Sequence, residues 1–420
     1  MKRRALLVGS LLLPLAACSS GGGKKSAKNP SSLTEIGFFT DKAAWEPSFD
    51  AMNKLSGKKN MKLKFTGYSD PTAYDSFIKQ SFRTKKVPDL FTWHTGSQLQ
   101  DLVDQNLVAE TTDLWSQATD DGLVPDGLID NYTFDEKQYG VPLNIAYWVM
   151  YYNKKVYAEH DLEVPTTWDE LMSNATTLKK AGVVPFLQMN IIFEFVWFMG
   201  MLIGYDPDAY DGLMTGKTKY TDKSVVAVAK EWGRMIDEGY FNDPGNKTDP
   251  QTLLNSGKVA MGYYGTFFTG QLTALKAKPG EDYGTFVLPN MNPDVKDPQM
   301  VLETGPMLVG KGSENEETAL AYSKWWMTTN AQQKWSDTRG DVSFNPNVKL
   351  DDPTLDHIVA DVNDPKKKFR SHVRYLEGTP LPVYTTETEV FGAFVTNGGD
   401  PMPALKKLQE SADKYWAEHQ

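Results

Sequence analysis

The chain has one cysteine, Cys18, and five histidines, His94, His160, His357, His372 and His419. A thiol acts as nucleophile or metal ligand only as thiolate, which needs a base or cation beside it. No histidine is near Cys18 in sequence, and Ser, Gly and Lys flank it, unlike the surroundings of an inert buried thiol. There is no His-Glu-x-x-His and no paired-cysteine pattern, so neither metal nor cofactor is expected. Gly212 to Thr218 approaches a phosphate-binding loop but has one residue too few between Gly212 and Gly216. Ser76-Phe77-Ile78-Lys79 fits an acylating Ser-x-x-Lys but lacks its Ser-Asp-Asn and Lys-Thr-Gly partners. A glycosidase carboxylate pair has no fixed spacing. With 54 acidic residues, a secreted carbohydrate-active enzyme stays open as the alternative reading.

Cys18 has a better use. Met1-Lys2-Arg3-Arg4 is a positive leader, Ala5 to Leu15 is a short apolar run, and Ala16 and Ala17 are small. That is the layout of a secretory signal peptide, too short to span a bilayer. Leu15-Ala16-Ala17-Cys18 resembles a bacterial lipobox, which implies cleavage after residue 17 and a diacylglyceryl group on Cys18. Two or more acyl chains hold a protein stably to a membrane. Residues 18–32, rich in Ser, Gly and Lys, read as a flexible tether.

The mature chain is long enough for two domains. Net charge is −10 and no basic stripe exists, so nucleic acid is excluded as a partner. The 11 Trp and 19 Tyr suit a site for flat, partly apolar ligands as well as a core.

These residues need elements to hold them. Leu33–Thr40 and Met61–Phe65 alternate as strands, and Asp89–Trp93 is a third. Helical spacing over 44–55, 73–83 and 98–105 separates or follows them. This order predicts an α/β domain with a mainly parallel sheet. Thr167 and Glu170 form a capping box that opens a helix ended by Gly182. Another helix runs from near Thr221 to Gly239. The apolar run 191–203 reads as a buried helix. Strands recur at 259–264, 285–288 and 307–309, and helices at 316–328 and from Pro403 onward.

Four stretches together resemble a known family. They are Val87–Trp115 (VPDLFTWHTGSQLQDLVDQNLVAETTDLW), Tyr139–Gly182 (with YGVP, YYNK and PTTWDEL), Leu253–Phe268 (LLNSGKVAMGYYGTFF) and Asn315–Trp335 (NEETALAYSKWWMTTNAQQKW). They are similar to the maltose-binding-protein-like solute-binding proteins of ABC importers. The resemblance implies two α/β lobes of the periplasmic-binding-protein kind, each a sheet flanked by helices, joined by crossover strands. Lobe 1 is expected over 33–145 plus 304–338 and lobe 2 over 146–303 plus 339–420. Crossings fall near Asn144–Tyr147, Glu303–Gly305 and Asp337–Gly340. An oligosaccharide would bind in the cleft between lobes, which close by hinge motion. The partners implied are the permease subunits of the importer. A monomer is expected, anchored by its lipid at the extracytoplasmic face of the bacterial cell membrane. A receptor for an amine or peptide remains a further reading.

Sugars need aromatic faces for their C–H surfaces and polar groups for their hydroxyls. The resemblance places Trp93 on the family's stacking aromatic, with core packing as the competing use, and puts His94 beside it. It places Asp41 and Lys42 among the polar contacts after the first strand, with Trp45 as lid or core. Phe267 falls where the family often has a cleft Trp, with Tyr264 and Phe268 in the same loop. Glu194, inside an apolar run, needs a partner, and Trp197 lies one turn on. Asn144, Tyr147 and Glu303 lie at crossings, and Phe344 and Asn345 follow the third.

Overall fold

A computed structural model describes residues 27–84, 86–125, 127–364 and 366–419. The leader and Cys18 lie outside the described residues. Strands are β1 Thr34–Thr40, β2 Met61–Gly67, β3 Leu90–Thr92, β4 Thr133–Phe134, β5 Lys137–Gln138, β6 Val141–Asn153, β7 Val184–Phe186, β8 Val259–Gly265, β9 Tyr283–Phe286, β10 Gln299–Val309 and β11 Arg370–Val373. β4 and β5 form a small hairpin, and the other nine make one sheet in the order β2-β1-β3-β10-β6-β8-β7, with β11 on β10 and β9 on β6.

Two long strands organise this sheet. β1 pairs in parallel with β2 and β3, β7 with β8, and β10 with β11. Every antiparallel pairing of the sheet involves β6 or β10. β6 pairs with β10 from Val141 to Tyr147, then with β8 and β9 from Trp148 on. β10 pairs with β11 through Leu302, then with β6 alone, and with β3 from Met307. Residues of β6 are buried on both faces, which explains its nearly unbroken apolar run.

Indole and carboxylate groups fix the helices to this frame. Trp326 Nε1 donates to the Pro142 carbonyl at 2.9 Å and Trp115 Nε1 to Gly140 at 2.8 Å. Asp89 accepts from Gly37 N–H at 2.8 Å and from Asn315 N–H at 3.2 Å, tying β1 to the start of helix Glu316–Trp326. The Thr167–Glu170 capping box is present. The end of the tether lies along the body: Asn60 Nδ2 donates to the Pro30 carbonyl at 3.1 Å.

One expected helix is shorter. The run from Ile191 becomes helical only at Val196, and Ile191 and Ile192 are exposed. Ile192 has φ +70°, which no α-helix accommodates.

Candidate functional site

Where β6 and β10 change partners, a buried ion cluster forms. Ala146 on β6 faces Glu303 on β10. Glu303 Oε2 accepts from Trp148 Nε1 at 3.0 Å and lies 2.9 Å from an Arg374 nitrogen. Arg374 turns its Nε to Glu377 at 2.7 Å and a second nitrogen to the same carboxylate. Burial would lower the Arg374 guanidinium, but Glu303 and Glu377 raise it above its ordinary value. Burial pushes the Glu303 carboxyl up, opposed by Arg374. Arg374 also lies 5.9 Å from the centre of the Trp148 ring.

Aromatic rings continue from Trp148. Phe193 meets it edge-on at 5.5 Å and Phe267 at 6.1 Å, while Tyr264 lies parallel at 6.5 Å. This box of rings beside charge-fixed polar groups combines apolar faces with hydrogen-bonding edges.

The other wall comes from the ends of β1 and β3. Asp41 Oδ1 accepts from Thr92 Oγ1 at 3.1 Å, and the Lys42 ammonium is 3.1 Å from Oδ2. Burial would raise the Asp41 carboxyl; Lys42, His94 and Thr92 bring it below its usual value. His94 is lowered by burial, against the pull of Glu377 and Asp75. Trp45 is covered by the Arg339 guanidinium at 4.2 Å and meets Trp335 edge-on at 5.7 Å.

The two walls touch. Gly96, at φ +67°, brings the 93–98 turn so close to the 374–378 segment that a Cβ there would lie 2.5 Å from the Glu377 carbonyl oxygen. Glycine is required by both the backbone angle and the approach. Beside this contact, helices Pro71–Ser81 and Ser97–Asp104 face Leu381–Asn397 and Met402–His419 across a cavity of roughly 800 Å3.

The sequence-derived residues distribute unevenly. Asp41, Lys42, Trp45, His94, Tyr264, Phe267 and Glu303 gather at this junction. Trp93 borders the cavity but its indole N–H is bound to the Gln98 carbonyl at 3.1 Å and its ring is buried. Asn144 and Tyr147 lie on β6 at the crossing; the Asn144 carbonyl accepts from Thr304 Oγ1 at 3.2 Å, and burial raises the Tyr147 phenol to about 12. Four residues are taken up by packing instead. Trp197 is fully buried on Phe186, its Nε1 on the Leu187 carbonyl at 2.9 Å. Phe268 stacks on the inner face of Tyr264 at 4.4 Å, fully buried. Phe344 is core, and Asn345 Nδ2 is bound to the Met327 carbonyl at 3.0 Å. Their apolar or amide chemistry suits a cleft equally, and only tertiary position separates the two uses.

Glu194 has the surroundings of neither an ion pair nor a solvent-facing contact. Both carboxyls, its own and that of Glu387, are buried with no well-formed hydrogen bond to their oxygens, and the polar groups beside Glu194 are Glu387 itself and the Thr388 side chain. Burial raises both carboxyls, and Glu194 raises Glu387 further. The two carboxyls therefore favour sharing a proton over ionising together.

Sequence reasoning misses Trp148, Phe193, Arg339, Arg374 and Glu377. Trp148 and Phe193 sit in apolar runs that read as core. Arg339 and Arg374 are two of only five arginines after residue 4, a scarcity that singles them out without saying where they lie.

Residues 49–362 match the model of the bacterial extracellular solute-binding protein family, and the chain belongs to that family. An ABC transporter extracellular-binding protein of Pyrococcus horikoshii is 26% identical over 95% of this chain and 91% of its own length. The galactooligosaccharide-binding protein of Bacillus subtilis is 23% identical over 97% and 95%. Among solved structures, a chitin oligosaccharide binding protein superposes with a TM-score of 0.79 at 17% identity, covering 92% of this chain and 99% of that one. The fold is thus the two-lobed periplasmic-binding-protein-like architecture. Among the described residues, no helix is long and apolar enough to cross a membrane, and no group of three or more His, Cys, Asp and Glu is placed to hold a metal.

Proposed function

We propose that this chain is the substrate-binding lipoprotein of an ABC importer and that it captures an oligosaccharide between its lobes. Lobe 1 comprises 33–145 plus 304–338 and lobe 2 comprises 146–303 plus 339–420. The observation that carries the reading is the junction itself. The aromatic rings of one wall, Trp148, Tyr264 and Phe267, adjoin the fixed charges Glu303 and Arg374, and Lys42 of the other wall, paired with Asp41, acts on the Glu303 carboxyl. The names of relatives, which include a galactooligosaccharide-binding and a diacetylchitobiose binding protein, support a sugar. Ligand that touches both walls binds the closed arrangement better and shifts the population toward it. Closure then presents the loaded protein to the permease. The lipid on Cys18 keeps a monomer at the extracytoplasmic face of the membrane.

Thermal unfolding of residues 19–420 against mono- and oligosaccharides tests this. A ligand at 100 times its Kd adds about 2.7 kcal/mol, a rise of several degrees in Tm. Absence of any shift with every sugar, together with no change in radius of gyration, refutes the reading. Mass spectrometry of membrane-extracted protein tests the lipid: an unmodified Cys18 refutes it.

A further inference from the structure

We propose that Phe193, carried on a strained turn, gates the aromatic box, and that the apolar face of a sugar displaces its ring. The inference rests on the oligosaccharide-receptor reading above. Phe193 N–H donates to the Ile191 carbonyl at 2.8 Å, which closes a three-residue turn around Ile192 at φ +70°. Such γ-turns are rare and strained, and a β-branched residue at their centre is more so. Conformations of this kind persist only where the surroundings over-determine them.

Ile191 and Ile192 do not hold the turn, because they are 59% and 61% exposed. What holds it lies on either side. Asn190 Nδ2 donates to Thr396 Oγ1 at 3.1 Å. The Phe193 ring docks edge-on to Trp148 and to Tyr264, the latter at 5.6 Å, and lies nearly parallel to Phe267 at 6.3 Å. Glu194, next in the chain, is buried beside Glu387 with no cation, which anchors the segment weakly.

Two consequences follow from this arrangement. Phe193 lies nearly parallel to Phe267, one of the platforms on which a sugar would lie, at 6.3 Å between ring centres, so ring and ligand compete for the same space. Undocking the ring also lets Ile192 return to negative φ, which offsets part of the lost ring contacts. The half-buried Phe193 is thus set to leave, whereas Phe268, stacked at 4.4 Å behind Tyr264 and fully buried, is not.

Two variants test the gate. Phe193→Ala, titrated calorimetrically with raffinose, galactobiose and N,N′-diacetylchitobiose, is expected to bind whichever sugar the wild type binds at least ~5-fold tighter. Weaker or unchanged binding overturns the proposal and makes Phe193 a platform or a bystander. Ile192→Asn places a residue tolerant of positive φ at the turn. Without any sugar, amide hydrogen exchange over 190–197 is expected to slow about ten-fold, within the range such strain allows. Unchanged or faster exchange overturns the proposal. Should none of the sugars bind the wild type, the receptor reading fails for those ligands and the exchange measurement alone decides the gate.

Discussion

Asp341 follows the last turn of helix Thr329–Arg339 and is almost wholly buried. Its Oδ1 accepts from Val342 N–H at 2.8 Å. Burial raises its carboxyl from an ordinary 3.8 to about 7, against the opposing pull of Thr266, Val342 and Arg339 and with help from Glu303. A folded-state value above the unfolded one favours the folded protein in acid. The stability is complete below pH 3.8, falls as pH rises to about 7, and changes no further above it. At 1.36 kcal/mol per pH unit, the interval is worth about 4 kcal/mol. Asp341→Asn keeps an acceptor for Val342 N–H and removes the titration. The variant is therefore expected to gain on the wild type by up to ~4 kcal/mol between pH 4 and pH 8. Urea unfolding of both proteins at several pH values measures that difference directly. Other groups titrate in both proteins and cancel. A difference independent of pH would refute the argument, because it would mean that Asp341 is ionised throughout.

Three further outcomes are expected. Arg374→Met leaves Glu303 and Glu377 buried without a cation and should cost about 3–5 kcal/mol by urea unfolding; adding Glu303→Gln and Glu377→Gln should restore most of it. Glu387→Gln removes the acid pair with Glu194, whose carboxyls both lie above their ordinary 4.5. The wild type loses stability as pH rises through those raised values, so the variant's Tm should gain on it from pH 5 to pH 8, and a constant offset would count against a shared proton. Gly96→Ala places a Cβ against the Glu377 carbonyl and forces a side chain onto φ +67°, ψ −144°; about 1–3 kcal/mol should be lost from the backbone angle alone, with a larger radius of gyration by small-angle scattering as the walls separate.

Particular residues show what can be read from the chain in advance. Thr34–Thr40 and Met61–Gly67 alternate, so β1 and β2 are legible, and the Thr167 cap marks its helix. Helix Leu381–Asn397 is not legible. It begins with Leu381-Pro382 and includes Thr385, Thr386, Thr388 and Thr396, residues of low helix propensity. Packing of Val390, Phe391 and Phe394 overrides that, and the threonine hydroxyls bond carbonyls one turn back, at Leu381, Pro382, Tyr384 and Gly392. The site divides in the same way. Asp41, Lys42 and His94 follow strand ends, where ligand contacts in α/β sheets collect. Arg374 and Glu377 sit in a segment without periodicity and acquire meaning only beside Glu303. Ile191 and Ile192 mislead, because hydrophobicity alone does not distinguish a buried helix from an exposed turn.

The placement of β10 sets a timetable for the growing chain. Asp89 bonds Asn315 across 226 residues of sequence, and β3, flanked on one side by β1, finds its second neighbour only in Met307–Val309. At a synthesis rate of about 5–20 residues per second, the first strands wait roughly ten to forty seconds for the strand that completes their sheet. During that interval β1, β2 and β3 have no central partner, and the ion cluster at the crossing cannot form. The N-terminal half is thus late to mature despite being made first, and it stays accessible to whatever binds unfolded chains until its last strand arrives.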